Sequence, residues 1–199
     1  VKALLNLKVS KMKRTGNLKQ LVCNKDNIEL ADQRARRNKT KSFGVQQHDL
    51  NKEEENSQLL ASLINQTYHT SKYDKFTIYE PKEREISRLP YFPDRICHHA
   101  LMNVLESVWT KKLVYNTYAC LKGKGIHALN QDLTKVLRSD VEGTKYCLKL
   151  DIRKFYPSIN HEILKYDILA STIKDNWVLT TLFDIVDSAP GVPIGNYLS

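Results

Sequence analysis

The chain reads as an α+β protein in which helices back an antiparallel sheet. Three observations predict this. Four stretches carry apolar residues at helical spacing, two short alternating segments flank a proline-containing turn, and one longer alternating segment, "KYCLKLDI", stands alone between helices. The basic N-terminal part reads as helical as well.

The elements follow in order. Residues 1–20 show little pattern, although Leu4, Leu5 and Leu7 offer an apolar docking point. "NKDNIELADQRARRNKTK" predicts a basic helix capped by Asn24 or Asp26. "HDLNKEEENSQLLASLINQTY" predicts a second helix. Its acidic start suits the positive helix end, and Leu59, Leu60, Leu63 and Ile64 form its apolar stripe. "DKFTIYEP" and "REISRLPYFP" predict two strands joined by a turn at "PKE". Asp94 is a candidate cap for "RICHHALMNVLESVW", whose Ile96, Ala100, Leu101, Val104, Leu105 and Val108 share one side. "YACLKGKGIH" is a loop, and its "GKG" is too short for a phosphate-binding P-loop. "HALNQDLTKVLRS" resumes a helix that ends near Gly143. In "KYCLKLDI", Tyr146, Leu148, Leu150 and Ile152 fall on one face of a strand. Lys145, Cys147, Lys149 and Asp151 fall on the other. Asn160 is placed to cap "HEILKYDILASTIKD", and "NWVLTTLFDIVDS" is a last helix before the Pro/Gly-rich "APGVPIGNYLS".

Charge narrows the functional classes. The net charge of +9 is concentrated at the start, because residues 1–48 hold 12 Lys/Arg against 3 Asp/Glu while the remainder balances at 19 against 19. A basic segment of this kind points to a polyanion such as nucleic acid, or to a solvated arm. Arg34, Arg36 and Arg37 are its candidate contacts, with Arg95, Lys122 and Lys124 further along. No apolar run reaches membrane length. The four cysteines are scattered with no C-x-x-C pair, which argues against a zinc ribbon and for reduced thiols in the cytoplasm. His98 and His99 are adjacent and point about 100° apart on a helix, so they read as packed histidines rather than metal ligands. The chain opens on Val1 and closes on Ser199 within a motif, as a piece of a longer protein would.

Asp151 is the chemically interesting carboxylate. At the end of a strand, over a polar face, it is either an ordinary turn residue or one ligand of a divalent-ion site. Spacing alone leaves both open. The neighbouring segments add a resemblance. "YEPKEREISRLPYFPDRICHHAL", "YACLKGKGIHAL", "CLKLDIRKFYPSINHEIL" and "GVPIGNYLS" are similar, in order, to the two fingers motifs, palm motif A and the start of motif B of prokaryotic reverse transcriptases. The likeness runs from about Phe76 to Ser199. "IG-x-x-x-S", with Ile194-Gly195 where intron and retroviral-type enzymes usually carry Gln-Gly, most resembles the diversity-generating retroelement branch. Intron maturases, defence-associated enzymes and a non-catalytic nucleic-acid-binding module are the alternatives.

The resemblance implies a right-hand polymerase, with a basic helical region at 1–75, fingers at 76–143 and a partial palm at 144–199. It implies RNA-directed DNA synthesis from deoxynucleoside triphosphates on a DNA primer and template RNA, with two Mg²⁺ ions. For the diversity-generating branch it also implies a small basic accessory protein as partner; the lack of a long apolar run implies no membrane. Asp151 and the backbone of Ile152 would bind metal. Lys82 and Arg84 would meet the triphosphate, Phe155 and Tyr156 would lie at the sugar, and Ile194 and Gly195 would border the new base pair. The family's second carboxylate group lies after motif B, so these 199 residues alone are expected not to polymerise. Asp167, Asp184 and Asp187 are read as solvated helix positions.

Overall fold

In the computed structural model, which describes residues 13–79 and 82–199, the chain divides into two compact units. The first comprises residues 1–106 and 155–199, the second residues 107–154. The suggested docking of Leu4, Leu5 and Leu7 lies outside the described residues.

The first unit is mainly helical. α1 (Lys19–Val22) leads into α2 (Lys25–Ala35), whose cap is Asn24: its side chain accepts from the Asp26 amide. The helix expected over 48–68 is two helices, α3 (Phe43–Leu50) and α4 (Lys52–Ile64), broken at Asn51. Asn51 leaves helical geometry (φ −133°, ψ 29°), and three glutamates in the first turn of α4 favour a fresh N-terminus there. Leu59 and Leu63 of the predicted stripe are buried, whereas Ile64 is exposed.

β1 (Asp74–Ile78) and β2 (Arg84–Arg88) pair antiparallel, with Phe76 opposite Ile86 and Ile78 opposite Arg84. A widened turn, Tyr91–Arg95, containing the cis Phe92–Pro93 peptide, then enters α5 (Ile96–Thr110). Ile96, Ala100, Leu101 and Leu105 are fully buried, as the apolar periodicity of this helix requires. Asp94 is buried too. Its carboxylate accepts from the Tyr68 hydroxyl (2.8 Å) and the Ser71 amide (3.0 Å), pinning the loop before β1.

After residue 155 the chain returns to this unit. Asn160 caps the next helical stretch, accepting from the Glu162 and Ile163 amides. That stretch runs through a widened segment, Ile163–Leu169, into α7 (Ala170–Thr172). α8 (Asn176–Asp187) buries Trp177, Val178, Leu182 and Ile185, and the Trp177 indole donates to Leu63 O across the core. Asp175 serves two helix starts: it accepts from Val178 N of α8 and from Leu18 N and Lys19 N at α1 (2.9 and 3.0 Å). Next to it, Thr15 N donates to Thr172 O and Lys174 N donates to Thr15 O, a short parallel bridge between segments distant in sequence.

The second unit holds the end of α5, a turn-rich loop and α6 (Ile126–Ser139). The predicted strand at 145–152 does not form. Its residues are irregular, with no ladder partner among the described residues, and Tyr146, Leu148, Leu150 and Ile152 are 94, 82, 81 and 67 % exposed. Alternation prepares a strand, but a strand is held by backbone bonds to a neighbour, and among the described residues none lies alongside. The same holds for α6, which is strongly amphipathic yet buries no residue. The sheet is therefore the single β1–β2 hairpin among the described residues. No helix among them is long and apolar enough to cross a membrane.

Candidate nucleotide and nucleic-acid site

The expected site residues fall into three groups. The first assembles around β2. Ser87 N, on the free edge of that strand, donates to Ile194 O (2.9 Å), so the Pro/Gly-rich tail docks against the hairpin. Gly195 makes the approach possible. Its φ is +117°, and a Cβ there would stand 2.9 Å from Ser87 O and 3.0 Å from Ile86 Cγ2. The tail also holds the turn that carries Tyr156. Val192 N donates to Tyr156 O (2.9 Å), and at Gly191 (φ +61°) a Cβ would lie 2.6 Å from the same carbonyl.

Asn196 Nδ2 donates to the Tyr73 hydroxyl (2.8 Å), and Tyr197 stacks on His99 at 3.6 Å between ring centres. Tyr156, Ile194, Gly195 and the strand that begins with Arg84 are thus tied together by named backbone contacts, although they lie more than a hundred residues apart in part. Phe155 packs edge-on to Tyr156 (5.4 Å), with its ring exposed. Lys82 and Arg84 are exposed at the loop end of the hairpin.

The second group is Asp151 with Ile152, in the other unit. Both are exposed, in irregular chain rather than at a strand end. Among the described residues no three His, Cys, Asp or Glu side chains gather as a metal site. Asp151 can offer one oxygen donor group to a hard cation, a partial set. Asp167 and Asp187 are exposed as expected, whereas Asp184 is half-buried, and both Asp184 and Asp187 are engaged. Asp184 accepts from His69 Nδ1, Thr70 N and the Thr70 hydroxyl (each 2.9 Å). Asp187 takes both bonds of the Lys165 ammonium (3.0 and 2.9 Å). Burial acts against the Asp184 carboxylate, yet these donors hold its pKa below the usual value.

The third group is the basic set, and here the structure separates residues the sequence lists together. Arg36 is committed: it grips both oxygens of buried Asp32 (2.8 Å each) and Asp49 (2.6 Å). Asp32 also accepts from the Tyr91 hydroxyl (2.5 Å) and pairs with Lys52 (3.0 Å). Burial works to raise its pKa, and this ring of donors overcomes it, so the carboxyl stays below its ordinary value. Beside it, His48 pairs with Glu55 through Nδ1 (2.5 Å) and stacks on Phe92. The only sequence sign of this network is the i, i+4 spacing of Asp32 and Arg36.

Arg34 donates to Asn103 Oδ1 (2.5 Å) and Arg37 is exposed. In the second unit Lys122 is exposed, while Lys124 lies over the rings of Tyr115 and Tyr118 (4.4 and 5.0 Å). Arg95 is half-buried, donates to Ala35 O (3.3 Å) and forms no ion pair with a carboxylate among the described residues. Burial pushes its pKa down.

No family model and no curated protein matches this chain. The functional reading therefore rests on its own residues.

Proposed function

We propose that the chain is the fingers and the first part of the palm of an RNA-directed DNA polymerase of the reverse-transcriptase kind, closest in its motifs to the diversity-generating retroelement branch. The observation that carries this is the ordered run of four motifs between Phe76 and Ser199. Further support comes from the contacts just described, which gather Tyr156, Ile194, Gly195 and the Arg84 strand within one unit.

In this reading each group has a chemical task. Arg84, planar and permanently charged, takes phosphate oxygens of the incoming triphosphate, with Lys82 beside it. Tyr156 lies under the sugar, fixed through its carbonyl by Val192, and its bulk selects against a 2′-hydroxyl. Ile194 offers an apolar surface with no hydrogen bond to give, so it checks base geometry loosely. Asp151 and the Ile152 carbonyl would be one half of a Mg²⁺ site, whose ions supply activation of a hydroxyl and neutralisation of phosphate charge.

Primer extension on an RNA template by the intact gene product tests this. Asp151→Asn is expected to lower Mg²⁺-dependent synthesis by about a hundredfold or more, roughly the contribution of a lost electrostatic group in a polymerase-type site, and to leave template–primer binding intact. Undiminished synthesis would remove Asp151 from the site. Template binding with no synthesis by the unaltered protein would favour the non-catalytic module.

A further inference from the structure

A cavity of about 630 Å³ opens between α3 and the β2–α5 connection, and of its wall only Arg95 is named above as a candidate nucleic-acid contact. That volume is in the range that holds a nucleotide-sized ligand. Its wall combines Lys39, Arg88 and Arg95 with the rings of Phe43, Tyr91 and Phe92. Phe43 is 76 % exposed at the first position of α3, an unusual place for a large ring with no folding role.

Two of the three cations stand without an ion-pair partner among the described residues. Glu55, the acid in the wall, is taken by His48, and Arg88 is taken by Asp74. Lys39 and Arg95 form no ion pair among the described residues. Burial, and then the nearness of Arg95, pull the Lys39 pKa below its ordinary value. The same positive field reaches further: burial first, then Arg95, His98, Arg34 and Lys39, hold His99 down to about 4. Lys39 and Arg95 are thus two neighbouring cations without an anion of their own, and the one carboxylate of the wall, Glu55, is turned to His48.

We propose that this cavity binds one nucleotide of a single-stranded nucleic acid, with a backbone phosphate on Lys39 and Arg95 and the base stacked on Phe43. A single strand fits because only an unpaired, unstacked base presents its face to a protein ring. The inference rests on the reading that the chain handles a nucleic-acid template, and it names where an unpaired part of that template would lie.

Fluorescence anisotropy with a labelled single-stranded RNA of roughly ten nucleotides tests it on the 199-residue chain. Phe43→Ala is expected to weaken binding about tenfold at every salt concentration, the loss of one stacked base. Lys39→Gln is expected to weaken it and to lower the slope of log affinity against log salt by about one. Both positions are exposed, so melting temperatures should match the unaltered chain, which separates lost contact from lost fold. If the unaltered chain binds RNA and neither variant differs, the cavity is not the site, while the template reading stands. If the unaltered chain binds no single strand, both fall. Full displacement of the RNA by a free deoxynucleoside triphosphate, with the two variants losing the triphosphate alike, would assign the cavity to a mononucleotide and overturn the proposal.

Discussion

Arg36 and Arg37 are neighbours in sequence with opposite fates. Arg37 is a solvated cation, and its replacement by alanine is expected to change stability by no more than about 0.5 kcal/mol. Arg36 neutralises a carboxylate with no solvent exposure. Removing it strands part of a buried charge, a loss of about 3–5 kcal/mol when no other partner remains. Tyr91 and Lys52 still face Asp32, so Arg36→Ala should sit at the lower end, about 3 kcal/mol, in urea unfolding. Equal stability of the two variants would mean that Asp32 does not depend on Arg36. This pair also shows what a sequence conceals at this scale. A run of arginines announces a polyanion surface, but the pattern does not tell which guanidinium an internal carboxylate has already claimed, because Asp49 and Lys52 reach Arg36 and Asp32 only after α3 and α4 fold back.

Among the elements, the docking of the Gly191–Gly195 turn on β2 is the contact that makes distant motifs one surface. At Gly195 a side chain would need both a disfavoured backbone conformation and space occupied by Ser87 O. Gly195→Ala is expected to free the tail while the β1–β2 ladder persists. Hydrogen exchange reads this directly. Protection of the Ser87 amide should be lost, and that of the ladder amides kept. Retained Ser87 protection would show that the docking does not need glycine.

The hairpin, α2, α5 and α8 were legible in the sequence because their periodicity, caps and turns are local signals. The break at Asn51 and the missing strand at 145–152 were not. The first depends on the competition between one long helix and two packed ones. The second depends on a pairing partner that a single segment cannot encode. For the same reason Tyr156 and Ile194 could be placed near each other only by resemblance, whereas the carbonyl–amide bond between Tyr156 and Val192 now ties their segments physically.

At the scale of the whole molecule, acid is the informative stress. His98 and His99 are buried in the first unit and held neutral. Burial first, and then Arg95, bring each down to about 4. An unfolded histidine titrates near 6.5, so below that pH the unfolded chain binds protons the folded chain refuses. The stability these two residues contribute is complete above about pH 6.5 and is lost as pH falls through about 4, by roughly 3 kcal/mol for each at the limit. Melting temperature should already fall between about pH 6.5 and 4.5, before most carboxylates titrate, and His98→Asn should flatten part of that slope. A flat profile over this window would show that neither histidine is held neutral.

Asp175 has a consequence for synthesis on the ribosome. Its carboxylate finishes the N-terminus of α1 as well as that of α8, and Thr15 is bridged to residues 172–174. A nascent chain therefore cannot complete α1 when that helix emerges. The Leu18 and Lys19 amides must wait for their partner through more than 150 further residues, and the whole first unit closes late, around a loop whose ends meet only once Asp175 has left the exit tunnel.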